Sequence, residues 1–258
     1  MPDQIQNEMR IWQNWWEKKG WLILFRKSEA FHDFLYRILP KLDSLGITKG
    51  KDVLEVGCGS GWTSVTFKRH FPEVNYTSSD VAPYALRYVR MLGEWTGALP
   101  EHLVACPIEN LPFKDNSFDY VLGTACLHHV TNLNQGLSEI FRVLKPNGYY
   151  IGFGEGYASS IVNKIYHWLN IGSSERGSRE GINENLLRFS QWIKSFKRAG
   201  FNVEHVELER KWYYKEPHLW EYNTHSLMTI LYYVLTKPLP DRFMKHLGAS
   251  LTIIARKS

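Results

Sequence analysis

The sequence predicts an α/β protein built on a parallel, doubly wound sheet. Three observations carry that prediction. Short apolar strands alternate with helix-length amphipathic segments from residue 53 to residue 153. A glycine-rich run, Gly57-Cys58-Gly59-Ser60-Gly61, separates the first strand of that series from its first helix. An acidic residue, Asp80, ends the second strand, where doubly wound sheets place ligand-binding groups.

Before the alternation, residues 8–39 read as helical. Ile11, Trp12, Trp15 and Trp16, then Phe31, Phe34, Leu35 and Ile38, recur at three- and four-residue steps. Gly20 is expected to split this stretch into two helices, and Pro40 to close the second. Strands follow at 53–56, 74–79, 102–106, 118–124 and 149–153, with helices at 62–70, 83–94 and 134–144. The last of these helices carries Leu137, Ile140, Phe141 and Leu144 on one face and ends at Pro146-Asn147-Gly148. Such regular alternation implies right-handed crossovers. Beyond it the pattern loosens. Residues 156–184 read as a glycine-containing excursion, 185–199 as a helix capped by Gly200, 203–208 as a strand, 227–235 as a helix-like apolar stretch and 251–255 as a last strand. The expected organisation is a helical N-terminal lid over 1–45 and one domain over 46–258, with substrate-side insertions at 156–184 and 216–248.

Composition narrows the function classes. With 258 residues, 44% of them hydrophobic, the chain can build one sizeable core. Ten Trp, fourteen Tyr and thirteen Phe exceed what a core of that size needs and suit an apolar or aromatic pocket. The three cysteines, Cys58, Cys106 and Cys126, form neither a disulfide framework nor a metal-ligand spacing, so no metal is expected. Without a leader-like N-terminus or an apolar run of about 18 residues, a cytoplasmic protein with no transmembrane segment is expected. Charge is unevenly distributed. Residues 52–156 hold 7 basic and 11 acidic side chains, whereas both flanks are basic. Solvated helix faces account for such flanks, as would contact with an anionic small molecule or a membrane surface.

Alone, the glycine run is shared by many nucleotide-binding turns. Its neighbours sharpen it. Glu55 stands directly before it, a poor neighbour for a pyrophosphate but a good one for an ammonium group. Further on come Leu111-Pro112-Phe113, Phe118-Asp119, Leu127-His128-His129-Val130 and Arg142-Val143-Leu144-Lys145-Pro146-Asn147-Gly148. Together, over about residues 45–155, these resemble the class I S-adenosylmethionine (SAM)-dependent methyltransferases, in particular their small-molecule branch.

The resemblance implies a Rossmann-like, seven-stranded sheet whose last strand runs antiparallel, with 203–208 and 251–255 as the final pair. It implies SAM as cofactor and S-adenosylhomocysteine as product. By position, Glu55 would hold the methionine amino group, while Gly57, Gly59 and Gly61 would give backbone access, with Cys58 in the turn. Asp80 would bind the ribose, Val81 would touch the adenine, and Thr124 would lie near the methionine part. Many relatives carry Asp where this chain has Pro107; here the backbone of Ile108, with Glu109 beside it, is expected to meet the adenine.

Methyl transfer needs a base only when the acceptor must lose a proton. His128 and His129, after the fourth strand, are the candidates, with Glu155 past the fifth strand to orient one of them. An equally weighted alternative is that the pair caps a turn. The acceptor is expected to be a small molecule, aromatic or anionic, methylated on O ahead of N or C. No nucleic-acid partner is expected, because the chain shows no recognised binding module. Peripheral membrane contact and oligomeric state stay open. Two other readings compete: a methyltransferase acting on nucleic acid or protein, and a SAM-binding protein without catalysis.

Overall fold

The computed structural model describes residues 2–26, 39, 42–46, 50–158, 183, 185, 187–209 and 248–258. Its core is a seven-stranded sheet. In chain order the strands are β1 (Asp52–Val56), β2 (Asn75–Asp80), β3 (His102–Ala105), β4 (Phe118–Thr124), β5 (Leu144–Ala158), β6 (Phe201–Glu209) and β7 (Gly248–Lys257). Their spatial order is β3-β2-β1-β4-β5-β7-β6. Strands β1 to β5 pair in parallel, and β7 lies antiparallel between β5 and β6. This is the Rossmann-like sheet with a reversed last strand that the sequence predicts.

Alternation along each strand decides what each face of the sheet packs on. From β1, Leu54 and Val56 join Val121 of β4 and Tyr150 of β5 in a cluster beneath α4 (Leu133–Val143) and α5 (Phe189–Arg198), which contribute Leu137, Ile140, Trp192 and Phe196. On the opposite face, Val53, Tyr76, Leu122, Ile151 and Phe153 pack against Phe67 of α2 (Trp62–His70). Helix α3 (Pro83–Thr96) contributes Ala85, Tyr88 and Leu92 to a third cluster, which Trp16 of α1 (Pro2–Arg26) completes.

Gly20 does not break the first helix: α1 continues through it to Arg26. The cost of a glycine inside a helix, about 1 kcal/mol, is offset by tertiary anchoring of the preceding turns. Gln13 Oε1 accepts the backbone N–H of Tyr84 at 2.9 Å, Tyr88 donates its hydroxyl to the Trp16 carbonyl, and Trp16 is buried. The second expected helix, toward residue 39, falls mostly outside the described residues. So do most of the 156–184 excursion and nearly all of 216–248.

Several motif residues act at the end of the sheet opposite the glycine turn. Lys145 Nζ bridges Asp52 and Asp119 at 2.7 and 2.8 Å, tying together the starts of β1 and β4. Arg142 holds the 111–115 loop through the carbonyls of Leu111 and Phe113, and pairs with Glu139. These side chains fix the frame and take no part in the cleft.

Candidate functional site

At the carboxyl ends of β1, β2 and β4 the chain turns sharply three times. After β1, Gly57, Gly59 and Gly61 all take positive φ (63°, 51° and 84°). Their reasons differ. A Cβ on Gly57 would stand 2.5 Å from Cys126 Cβ, and one on Gly61 would stand 2.8 Å from Val89 Cα, so both positions are closed by the protein itself. Gly59 instead faces the indole of Trp16, 3.1 Å from where its Cβ would be. Of the three, Gly59 is the one covered by an aromatic ring.

Asp80 ties this turn to the second strand. Its Oδ2 accepts the N–H of Gly59 and its Oδ1 the N–H of Ala82, each at 2.9 Å. Cys58 N–H donates to the Ser79 carbonyl beside it. Burial pushes the Asp80 carboxyl up to about 6, against the two N–H bonds that favour its charge. Val81 follows directly at the strand end.

Glu55 is fully buried on the α2 face of β1. Its Oε2 accepts from Ser64 Oγ and, at 3.0 Å, from Tyr76 Oη, while its Oε1 has no hydrogen-bond partner among the described residues. Desolvation raises its carboxyl to about 7, partly offset by the two hydroxyls. Thr124, at the end of β4, shares a 3.1 Å hydrogen bond with Thr63 at the start of α2.

After Thr124 the chain bends through Ala125, whose φ of 48° is unusual for a residue with a side chain. It then forms a single 3₁₀ turn, Leu127–His129. Glu155 organises that turn. A register shift in β5, with Gly154 at φ 66°, turns the Glu155 carboxylate under the loop. Oε1 accepts the N–H groups of Cys126 and Leu127, both at 3.0 Å. Oε2 takes the N–H of His128 at 3.2 Å and its ring Nδ1 at 2.8 Å. An ionised Glu155 can only accept, so Nδ1 of His128 carries the proton and Nε2 the lone pair.

His129 lies beside it, ring centroids 4.0 Å apart. Its Nδ1 stands 2.9 Å from the Asn183 carbonyl, and Trp12 meets its ring edge-on at 4.9 Å. Asn183 and Asn185 also bond the carbonyls of Val130 and His128, so the end of the 156–184 excursion is sewn to the histidine loop.

Glu109 is occupied elsewhere. Its Oε1 accepts the N–H groups of Thr131 and Asn132 ahead of α4, and Ile108 packs against Gly136. Three participants carried no sequence signal of their own: Ser64 and Tyr76 on Glu55, and Ala125 at the bend. Spacing could have flagged only Ser64, three residues after Gly61 and one turn into the helix. Among the described residues, no group of three or more His, Cys, Asp or Glu is placed to hold a metal, and no helix is long and apolar enough to cross a membrane.

The family model described as "Methyltransferase domain" matches residues 54–152, from β1 through the first half of β5. Over these residues the chain is similar to methyltransferase domains. The chain is 29% identical over 196 residues to the sterol 24-C-methyltransferase of Aspergillus fumigatus, covering 71% of this chain and 48% of that protein. It is 34% identical over 125 residues to a fatty-acid O-methyltransferase of Mycolicibacterium smegmatis, covering 48% of this chain and 44% of that one. The chain thus spans about half the length of the curated relatives it matches. Among solved structures, a geranyl diphosphate methyltransferase in complex with GPP and sinefungin superposes with a TM-score of 0.68 at 15% identity, covering 89% of this chain and 77% of that one. The matched residues and the candidate site lie on the same strands. Gly57, Asp80, Thr124 and His128 all fall within the matched residues, and Glu155 stands three residues beyond them.

Proposed function

We propose that the protein is a SAM-dependent methyltransferase that transfers a methyl group to oxygen on a small, largely apolar acceptor. The observation that carries this reading is the Glu155–His128 pair, a base held by a buried carboxylate on the loop after β4, one strand away from the glycine turn. The similarity to proteins named for sterols and fatty acids supports an apolar acceptor, as does the aromatic cover of Trp12 and Trp16.

The residues present fit the cofactor. Glu55 Oε1 is a buried, unpartnered acceptor suited to an ammonium group. Asp80 keeps lone pairs beyond its two N–H bonds for ribose hydroxyls. Gly59 opens its backbone to the cleft. Cys58 and Gly61 shape the turn, Val81 and Ile108 would line the adenine side with Glu109 behind them, and Thr124 would border the methionine side. When bound, SAM supplies a methyl group on a sulfonium, already activated for displacement.

The protein's part is to position, to exclude water and to move one proton. Trp16 over Gly59 and Trp12 against His129 make α1 the cover, which is the lid role of the N-terminal segment. Glu155 fixes the tautomer of His128, so that Nε2 can accept a proton from the acceptor, and the imidazolium formed is stabilised by the carboxylate at 2.8 Å. His129, held by Asn183 and Trp12, forms a wall of the acceptor site.

Incubation with SAM and a panel of fatty acids, sterols and phenols, read by mass spectrometry, tests this. The expected result is a singly methylated oxygen on at least one apolar acceptor. Methylation of RNA, DNA or protein with none of the panel modified would overturn it.

A further inference from the structure

Glu55 is held in a lopsided way. Two elements grip one of its oxygens: Ser64 Oγ on α2 and Tyr76 Oη on β2 both donate to Oε2. Ser78 Oγ donates in turn to Ser64 Oγ at 2.9 Å, so the serine is itself fixed. The other oxygen, Oε1, is buried with no hydrogen-bond partner among the described residues. A carboxylate can accept about four hydrogen bonds, and an anion satisfied on one side only is costly to bury. The packing thus satisfies one carboxylate oxygen and, among the described residues, offers nothing to the other.

We infer that Tyr76 and Ser64 are positioning residues for the cofactor: by holding Oε2 they reserve Oε1 of Glu55 for the ligand's ammonium group, and capture of that group expels the Glu55 proton. This rests on the SAM reading above. The titratable groups that face Glu55 are Tyr76 and Asp80 on β2, Cys58 in the glycine turn and Cys126 after β4. Burial pushes both thiols and the phenol well above their usual ranges, so they stay neutral. Asp80 adds negative charge nearby, and no cation is among the groups that shift Glu55. With its carboxyl raised to about 7, ligand-free Glu55 holds its proton below neutral pH. An ammonium group at Oε1 favours the ionised form and draws the value down. Affinity through that contact is therefore full above about pH 7 and declines as pH falls below it, by about tenfold per unit.

Two nucleosides separate this effect from every other. S-adenosylhomocysteine carries the ammonium group; methylthioadenosine shares its adenine, ribose and thioether but lacks the amino-acid end. Asp80, which titrates near 6, affects both through the ribose, so the ratio of their affinities isolates Glu55. Calorimetry is expected to show that ratio rising about tenfold between about pH 6 and about pH 8. In two buffers of different ionisation enthalpy near pH 6.5, homocysteine-ligand binding is expected to release a proton and thioether-ligand binding to release less. Tyr76→Phe removes a donor to the charged form and is expected to move the midpoint to higher pH, weakening S-adenosylhomocysteine severalfold at neutral pH while sparing methylthioadenosine. Ser64→Ala is expected to act in the same direction and serves if Tyr76→Phe does not fold.

A ratio independent of pH, without extra proton release in the unmutated protein, overturns the inference and leaves the methyltransferase reading standing. Equal weakening of both ligands by Tyr76→Phe and Ser64→Ala overturns it too, because that is what loosened packing would do. Failure of both nucleosides to bind the unmutated protein overturns the SAM reading, and the inference with it.

Discussion

Glu155→Ala is expected to lower turnover by about a thousandfold and to destabilise the fold by about 3 kcal/mol or more. Four donors converge on this carboxylate: three consecutive backbone N–H groups and the Nδ1 of His128. Alanine strands all of them beneath a loop that has little water to replace the lost acceptor, with Glu155 itself only 1% exposed. Glu155→Gln keeps one carbonyl oxygen but turns an NH₂ group toward the other donors, so its losses should fall between. Chemical denaturation and single-turnover assays measure the two effects separately. The decisive companion is His128→Asn, which leaves the three backbone bonds in place. If the pair supplies a base, His128→Asn loses most of the turnover with little loss of stability. Full turnover in that variant would reduce Glu155 to a cap of the 3₁₀ turn.

Gly57→Ala is the second large effect, and its origin lies in packing rather than in ligand access. The new Cβ would stand 2.5 Å from Cys126 Cβ at a backbone φ of 63°, where an L side chain is itself disfavoured. A loss of about 3 kcal/mol is expected. Because the clash is with one side chain, Cys126→Gly in the same chain should recover part of it, giving a coupling of about 1 kcal/mol or more in a double-mutant cycle. Purely additive losses would show that the strain is in the turn alone.

The sheet was legible because each strand and helix up to residue 153 announces itself locally, through runs such as Val53–Val56 and the face of Leu137, Ile140, Phe141 and Leu144. Asp80, the glycines and the histidine pair were legible for the same reason: each is a residue type at a strand end. What escaped depends on partners distant in sequence. Gly20 reads as a helix break because local propensity is unfavourable, yet Gln13 and Trp16 dock the preceding turns on α3. The fifth strand runs to Ala158 rather than ending at 153, because β7 supplies partners through a bulge that no local pattern encodes. Helix α5 starts at Phe189 rather than 185, since Leu187 bridges Tyr157 and Asn185 is tied to the histidine loop. Likewise Glu109, beside the expected adenine contact, turns toward Thr131 and Asn132 because three-dimensional proximity offers two N–H groups there.

The division of labour among the glycines could be seen only in three dimensions. Sequence spacing treats Gly57, Gly59 and Gly61 alike, as a cradle. In the fold, Gly57 and Gly61 are squeezed by Cys126 and Val89, and Gly59 meets the Trp16 indole. The same distinction separates Arg142 and Lys145 from the site: their motif carries the resemblance, but their hydrogen bonds staple the far end of the sheet.

The central claim is that this cleft binds SAM, and calorimetric titration with S-adenosylhomocysteine tests it most directly. At neutral pH the account predicts one site per chain with a Kd on the order of 10 μM, weakened by about a hundredfold or more in Asp80→Ala, which loses the acceptor that holds both Gly59 and the ribose. No binding by the unmutated protein at millimolar ligand, or undiminished binding by Asp80→Ala, would contradict it.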